Sequence, residues 1–411
     1  MKTVVLHIGM HKTGSSSIQT ALDGYRGGGF EYAPLPPISP AYDDASNHSF
    51  QIRVAFVGSF QKLGNFLGES VDEAAFQAMR AQCREALAAC LGRSKAGTLI
   101  ISAEEITRFD RDEMQAMGDF FRAHGLKTTV YAYVRNPYDY VNSATQEIVK
   151  SGHAGDNLHP LSYRDNFAAA EAVFGAENVV YRLYRRESLV EGDSVADFCA
   201  WIGLNRRAPS ALFSWRGLKK SLLRRTVEVN VSLSTDAVRC IYALNRHGKI
   251  HFGNPLLGHS RLALQKRLAQ LLPGRFELPL DLIEEELDAA DMAWMAARLQ
   301  QPFEKPVTGD SASGTCAGLG EWLEKVSPEL EGRLREHLAA SGATVVNGAG
   351  FVDLVTQLYF ECAREVSQGR SDYRAFDADR YLQKYPDVRE AGLNPFGHYL
   401  MYGQNEGRDC T

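Results

Sequence analysis

The apolar run Val4-Val5-Leu6 leads straight into His7-Ile8-Gly9-Met10-His11-Lys12-Thr13-Gly14-Ser15-Ser16-Ser17, and Ile18-Gln19-Thr20-Ala21-Leu22 comes directly after. This order reads as strand, tight loop, helix, and few folds offer such a junction without using it. Gly9 and Gly14 let the backbone turn sharply and approach an anion closely. The helix starting near Ser15 aims its unpaired N–H groups and the positive end of its dipole into the loop. Lys12 adds a full charge, and Thr13, Ser15, Ser16 and Ser17 add hydroxyl donors. The segment is expected to hold a phosphate or sulfate, with His7 as strand-end support and His11 as a further phosphate contact.

A nucleotide-triphosphate loop needs Gly, four residues, then Gly-Lys-Ser/Thr. Here the glycine spacing fits, but Ser15 stands where that lysine belongs and Lys12 lies inside the loop. A kinase of this type, with ATP and Mg²⁺, is therefore the weaker alternative. The plainer alternative, a glycine-rich turn beside a surface lysine, leaves the run of hydroxyls unexplained.

A second anion-binding element lies further along. Thr128-Thr129-Val130-Tyr131-Ala132-Tyr133-Val134 is β-branched and aromatic, as a buried strand would be, and Arg135-Asn136-Pro137 ends it. Pro137 suits a first helical turn, where a missing N–H costs nothing. Ser143 falls two turns beyond Arg135 on the next helix. Arg135 and Ser143 would reach one phosphate if the chain turns at Asn136-Pro137, and the planar guanidinium can grip it through two hydrogen bonds.

With both elements in this order, the chain resembles the sulfotransferases that use 3′-phosphoadenosine 5′-phosphosulfate (PAPS), in particular bacterial carbohydrate sulfotransferases. The resemblance implies an α/β fold with a P-loop-like parallel β-sheet flanked by helices, and here a C-terminal helical extension. It gives Lys12 the phosphosulfate and the charge on the leaving nucleotide. His11, Thr13, Gly14, Ser15, Ser16 and Ser17 would line the 5′ side, and Arg135 and Ser143 would bind the 3′-phosphate. PAP would be the product, with no metal required. The cytosolic small-molecule enzymes carry Tyr-Pro-Lys-Ser-Gly-Thr-Thr in the loop, so a carbohydrate or glycan acceptor is expected rather than a phenol or steroid.

Sulfuryl transfer also needs a base for the acceptor proton. Glu104 is the first candidate, because Ile100-Ile101-Ser102-Ala103-Glu104-Glu105 carries it just past a strand end. Glu105, one residue on, suits the dipole at a helix start. His48 is the runner-up, in an irregular, proline-rich stretch over residues 25–70 that reads as acceptor-facing loop.

The 411 residues, 45% of them hydrophobic, suffice for a large core, and a net charge of −5 without an extended basic run argues against nucleic acid as a partner. Seven cysteines show no paired spacing, which argues against a zinc site and fits a reducing, cytoplasmic setting. No apolar stretch approaches the roughly 20 residues of a membrane span. Alternating strand and helix patterns predict a sulfotransferase domain over residues 1–305. A Gly/Ser/Pro-rich linker over 306–320 and a helical accessory region over 321–411 come after it. Within that region, residues 371–411 resemble a small aromatic-rich module appended to glycosyltransferases and other polysaccharide-related proteins. That likeness implies association with polysaccharide-synthesis enzymes. Two non-enzymatic readings also stand, a PAP- or PAPS-binding regulator and a scaffold for glycan enzymes.

Overall fold

Every strand residue faces the side opposite its neighbours, and in this chain both sides are apolar. Val4 and Leu6 pack in one core cluster with Leu99, Ile101, Val130, Ala132 and Val134, while Val5, Ile100 and Tyr133 pack in another. Strands of this kind must be covered on both faces, the condition of a parallel α/β sheet. The computed structural model has such a sheet, and it describes residues 2–37, 46–66, 72–204, 232–248, 255–306, 318–341, 348–368, 376–391, 393–404 and 406–409. Most of the expected linker, and parts of the proline-rich stretch and of the aromatic-rich module, lie outside these residues.

Six strands are described: β1 (Lys2–His7), β2 (Arg26–Gly27), β3 (Phe30–Tyr32), β4 (Thr98–Ser102), β5 (Leu126–Val134) and β6 (Val179–Leu183). Their order is β2-β3-β4-β1-β5-β6, parallel except for the β2–β3 hairpin. One face is covered by α2 (Ser49–Phe56), α3 (Glu73–Arg93), α4 (Arg111–Ala123) and α6 (Tyr163–Phe174), through residues such as Phe56, Phe76, Met117 and Phe167. The other face takes α1 (Ser15–Leu22) and α7 (Ser194–Trp201), through Ile18, Leu22 and Phe198. Helix α5 (Pro137–Lys150) comes after β5; the Asn136 side chain accepts from the Tyr138 N–H at 3.0 Å, and Pro137 opens the helix.

Residues 25–70 are more regular than expected, since β2, β3, α2 and a 3₁₀ turn over Phe60–Phe66 fall there. Three residues are too few to display strand alternation, and the central one of β3, Glu31, is a buried acid.

The chain divides into two compact units that cut across the expected boundary near residue 305. The first, residues 1–140, 161–227 and 287–306, holds the sheet and includes α11 (Ala289–Leu299). The second, residues 141–160, 228–286 and 307–411, has helices and no strand among its described residues. It contains α8 (Thr235–His247), α9 (Pro255–Leu271), α10 (Leu280–Glu284), α12 (Leu319–Glu324), α13 (Pro328–Ala340), α14 (Phe351–Gln368) and short helices from Ala378 to Gly403. No helix among the described residues is long and apolar enough to cross a membrane.

Candidate active site

Because β1 lies between β4 and β5, the loop that leaves it is flanked by the carboxyl ends of both neighbours. In parallel sheets this is where ligands collect.

The loop turns through three left-handed residues, Gly9 (φ 41°), Lys12 (φ 66°) and Gly14 (φ 82°). For lysine that conformation costs about 1 kcal/mol, and strain of this kind gathers at functional sites. Lys12 is exposed. Thr13, expected among the phosphate-lining hydroxyls, braces the loop. Its buried Oγ1 donates to the Met10 carbonyl at 2.6 Å and accepts from the Met10 N–H at 3.2 Å. Gly14 caps α1, whose intrahelical bonds begin with Ser17 and Ile18 donating to the Gly14 carbonyl at 3.0 and 3.1 Å. The amides of Ser15 and Ser16 precede those bonds. The Ser16 and Ser17 side chains are exposed, whereas Ser15 is buried and its Oγ has no hydrogen-bond partner among the described residues.

Beneath the loop lies His7, fully buried, with Nδ1 2.8 Å from Ser102 Oγ and Nε2 without a partner among the described residues. Burial pushes its imidazole down to about 3, so it is neutral. A Cβ on Gly9 would stand 2.6 Å from Ser15 Oγ and 3.4 Å from His7 Nε2. Two unsatisfied polar atoms thus border the same bare glycine, a donor set that fits an oxyanion held in the loop.

The end of β4 contributes a 3₁₀ turn, Glu104–Arg108. Glu104 is half-buried, and its Oε2 accepts from Gln19 Nε2 of α1 at 2.6 Å. Glu105 is buried and paired with His11 at 3.2 Å, with Arg108 at 3.5 Å and with Arg53 of α2. Burial alone would raise the Glu105 carboxyl, but the hydrogen bond to His11 and the charges of Arg108, His11 and Arg53 outweigh it and hold the group below the usual carboxylate range. His11 therefore serves Glu105 as well as the loop. His48 is wholly buried and stacked on Tyr32 with ring centroids 4.4 Å apart. Its Nδ1 accepts from the Ser102 N–H at 3.2 Å, which makes it a brace for β4.

At the end of β5, Arg135 Nη1 donates to the Lys12 carbonyl at 3.4 Å, and the Arg135 carbonyl accepts from Tyr163 Oη at 2.7 Å. Loop and arginine are thus brought together. Ser143, half-buried on α5, belongs to the second unit. Among the described residues no three His, Cys, Asp or Glu side chains gather as a metal site would require.

Several participants carry no mark in the sequence. A Cβ on Gly14 would lie 2.7 Å from Ser194 Oγ and 3.3 Å from Tyr184 Oη, so the N-terminus of α7 abuts the loop. Asp197 fixes α7 there, accepting from Tyr133 Oη at 2.6 Å and Arg182 Nη1 at 2.9 Å. Gln19 and Arg53 leave only a faint signal, each a polar residue in a short helix whose buried side also holds apolar residues. No protein family, curated protein or solved structure matches the chain.

Proposed function

We propose that the chain is a PAPS-dependent sulfotransferase of the sulfotransferase fold, acting in the cytoplasm on a hydroxyl of a carbohydrate or glycan. The observation that carries the reading is that the arginine at the end of β5 reaches the glycine loop after β1, Arg135 donating to the backbone carbonyl of Lys12. A donor with phosphate at both its 3′ and 5′ positions asks for two such grips, and one nucleotide phosphate asks for only one. Lys12 neutralises the charge that builds on the nucleotide oxygen as its bond to sulfur breaks and the electron pair leaves with PAP. The loop amides and Ser15 Oγ hold the anionic oxygens. Glu104, held through Oε2 by Gln19, takes the acceptor proton while the acceptor oxygen forms the new bond to sulfur. The aromatic-rich C-terminal module fits a role in docking to polysaccharide-synthesis enzymes.

Calorimetric titration with PAP, 5′-AMP and ATP–Mg²⁺ tests the donor. PAP should bind at least tenfold more tightly than AMP, and Lys12→Ala should remove transfer from labelled PAPS to a glycan panel while the circular dichroism spectrum is unchanged. Equal affinity for PAP and AMP overturns the reading, preference for ATP–Mg²⁺ points to a kinase, and PAP binding without turnover on any glycan points to a regulator.

A further inference from the structure

The 3₁₀ turn that carries Glu104 ends in Arg108, and beyond it the chain borders a cleft of about 650 Å³ shared with the first turns of α6. Three guanidinium groups line it: Arg108, Arg111 at the start of α4, and Arg164 of α6. In a chain with a net charge of −5 this is a local concentration of positive charge. The side chains of Arg108 and Arg164 are 54% and 52% exposed, and each has one acidic partner outside the lining, Glu105 at 3.5 Å and Asp291 at 4.0 Å. Of the two aspartates in the lining, Asp110 is already matched by Lys62 and caps α4 through the Glu113 N–H at 2.9 Å. Within the lining, Asp165 is left to oppose the three arginines.

The cleft is joined to the loop by charge. Glu105 pairs with His11 of the loop on one side and with Arg108 of the cleft on the other. Tyr140, whose hydroxyl burial raises, lies in the field of both Arg108 and Arg135, which oppose that rise. A molecule seated in the cleft would lie against the same 3₁₀ turn that carries Glu104. Guanidinium forks pair with carboxylate and sulfate through two parallel hydrogen bonds. The lining sets Phe109 and three alanines beside the arginines and Asn166, so apolar surface that the C–H face of a sugar can cover lies next to groups that bind its polar substituents.

We infer that this cleft is an acceptor subsite for an acidic saccharide, with Arg108, Arg111 and Arg164 receiving a carboxylate or sulfate group on the sugar. The inference rests on the sulfotransferase reading for its biological sense, but its test does not. Two acidic probes, tetragalacturonate and sulfated maltotetraose, are titrated beside their neutral counterparts, the methyl ester and plain maltotetraose. At least one acid should bind ten times more tightly than its neutral partner, the preference falling at higher salt. It should drop at least fivefold in Arg111→Gln and vanish in the Arg111→Gln/Arg164→Gln double variant. The melting curve confirms folding, and if the double variant unfolds, Arg111→Glu, altering one side chain at the cleft, gives the same reading. No preference for either acid, or a preference that survives these substitutions, overturns the subsite. PAP affinity, measured on the same samples, should be unchanged by them. Loss of PAP binding in the wild-type chain would strike the donor reading and leave the cleft result standing.

Discussion

Gly14 shows how narrowly one residue is constrained at this site. It combines φ of 82° with a Cα that faces Ser194, whose Cβ and Oγ would each lie 2.7 Å from an added methyl. Gly14→Ala must therefore adopt a conformation costing about 1–2 kcal/mol and push the N-terminus of α7 away as well. We expect a lower melting temperature and PAP binding weakened at least tenfold. A variant with wild-type melting and affinity would mean that the loop and α7 adjust independently. The glycine was legible in the sequence as a turn residue, but its contact was not, because Ser194 is remote in the chain and nothing in its own neighbourhood marks it. Lys12 illustrates the converse: its charge was evident in the sequence, while its left-handed backbone, which fixes where that charge emerges, belongs to the folded loop.

At the scale of elements, β1 and β4 are locked by side chains as well as by their ladder. Ser102 meets His7 through its hydroxyl and His48 through its N–H, at 2.8 and 3.2 Å. The unfolded chain takes up a proton on His7 near 6.5, whereas the buried imidazole resists protonation until about 3. Stability from this group is full above about 6.5 and is lost as the pH falls from there towards 3, by up to about 1.4 kcal/mol per unit. Urea unfolding at about pH 7.5, 6 and 5, which spans the upper part of that fall, should show the wild-type chain losing more stability than His7→Phe, which keeps an aromatic ring beside Phe198. Parallel pH slopes for the two proteins would remove His7 as the source. β1, β4, β5 and the helices that follow β1 and β5 could be read in advance, because apolar strand runs and the turn residues that open helices declare themselves in the sequence. β3 and the burial of His48 could not, since a three-residue strand has no period and a histidine beside Asn47 and Ser49 reads as loop.

The whole molecule is organised less by chain order than the sequence suggests. A composition shift near residue 305 marks a linker-like segment, yet residues 141–160 and 228–286 cluster with residues 307–411. The reason lies in α14, which carries the buried residues Leu354, Val355, Leu358 and Tyr359 and packs on both α8 and α9, with Glu365 also paired to Arg267 at 2.8 Å. Composition can mark a segment with few apolar residues, but it is blind to which distant helix covers which. Ending the chain at residue 305 would strip α8 and α9 of that cover and expose residues such as Ile241, Leu264 and Leu268, each worth about 1.5–3 kcal/mol when buried. That total rivals the whole stability of a typical domain. Ending it at residue 375 would remove only the small aromatic module, whose Gly397 rests against Phe360 of α14, and should cost about 2 kcal/mol. Calorimetric melting of the two truncations decides the matter. The longer should unfold cooperatively a few degrees below the full chain, and the shorter should aggregate or melt without a cooperative transition. A soluble 1–305 chain with a sharp melt would show that residues 228–286 need no cover from α14, and that the linker marks the working boundary after all.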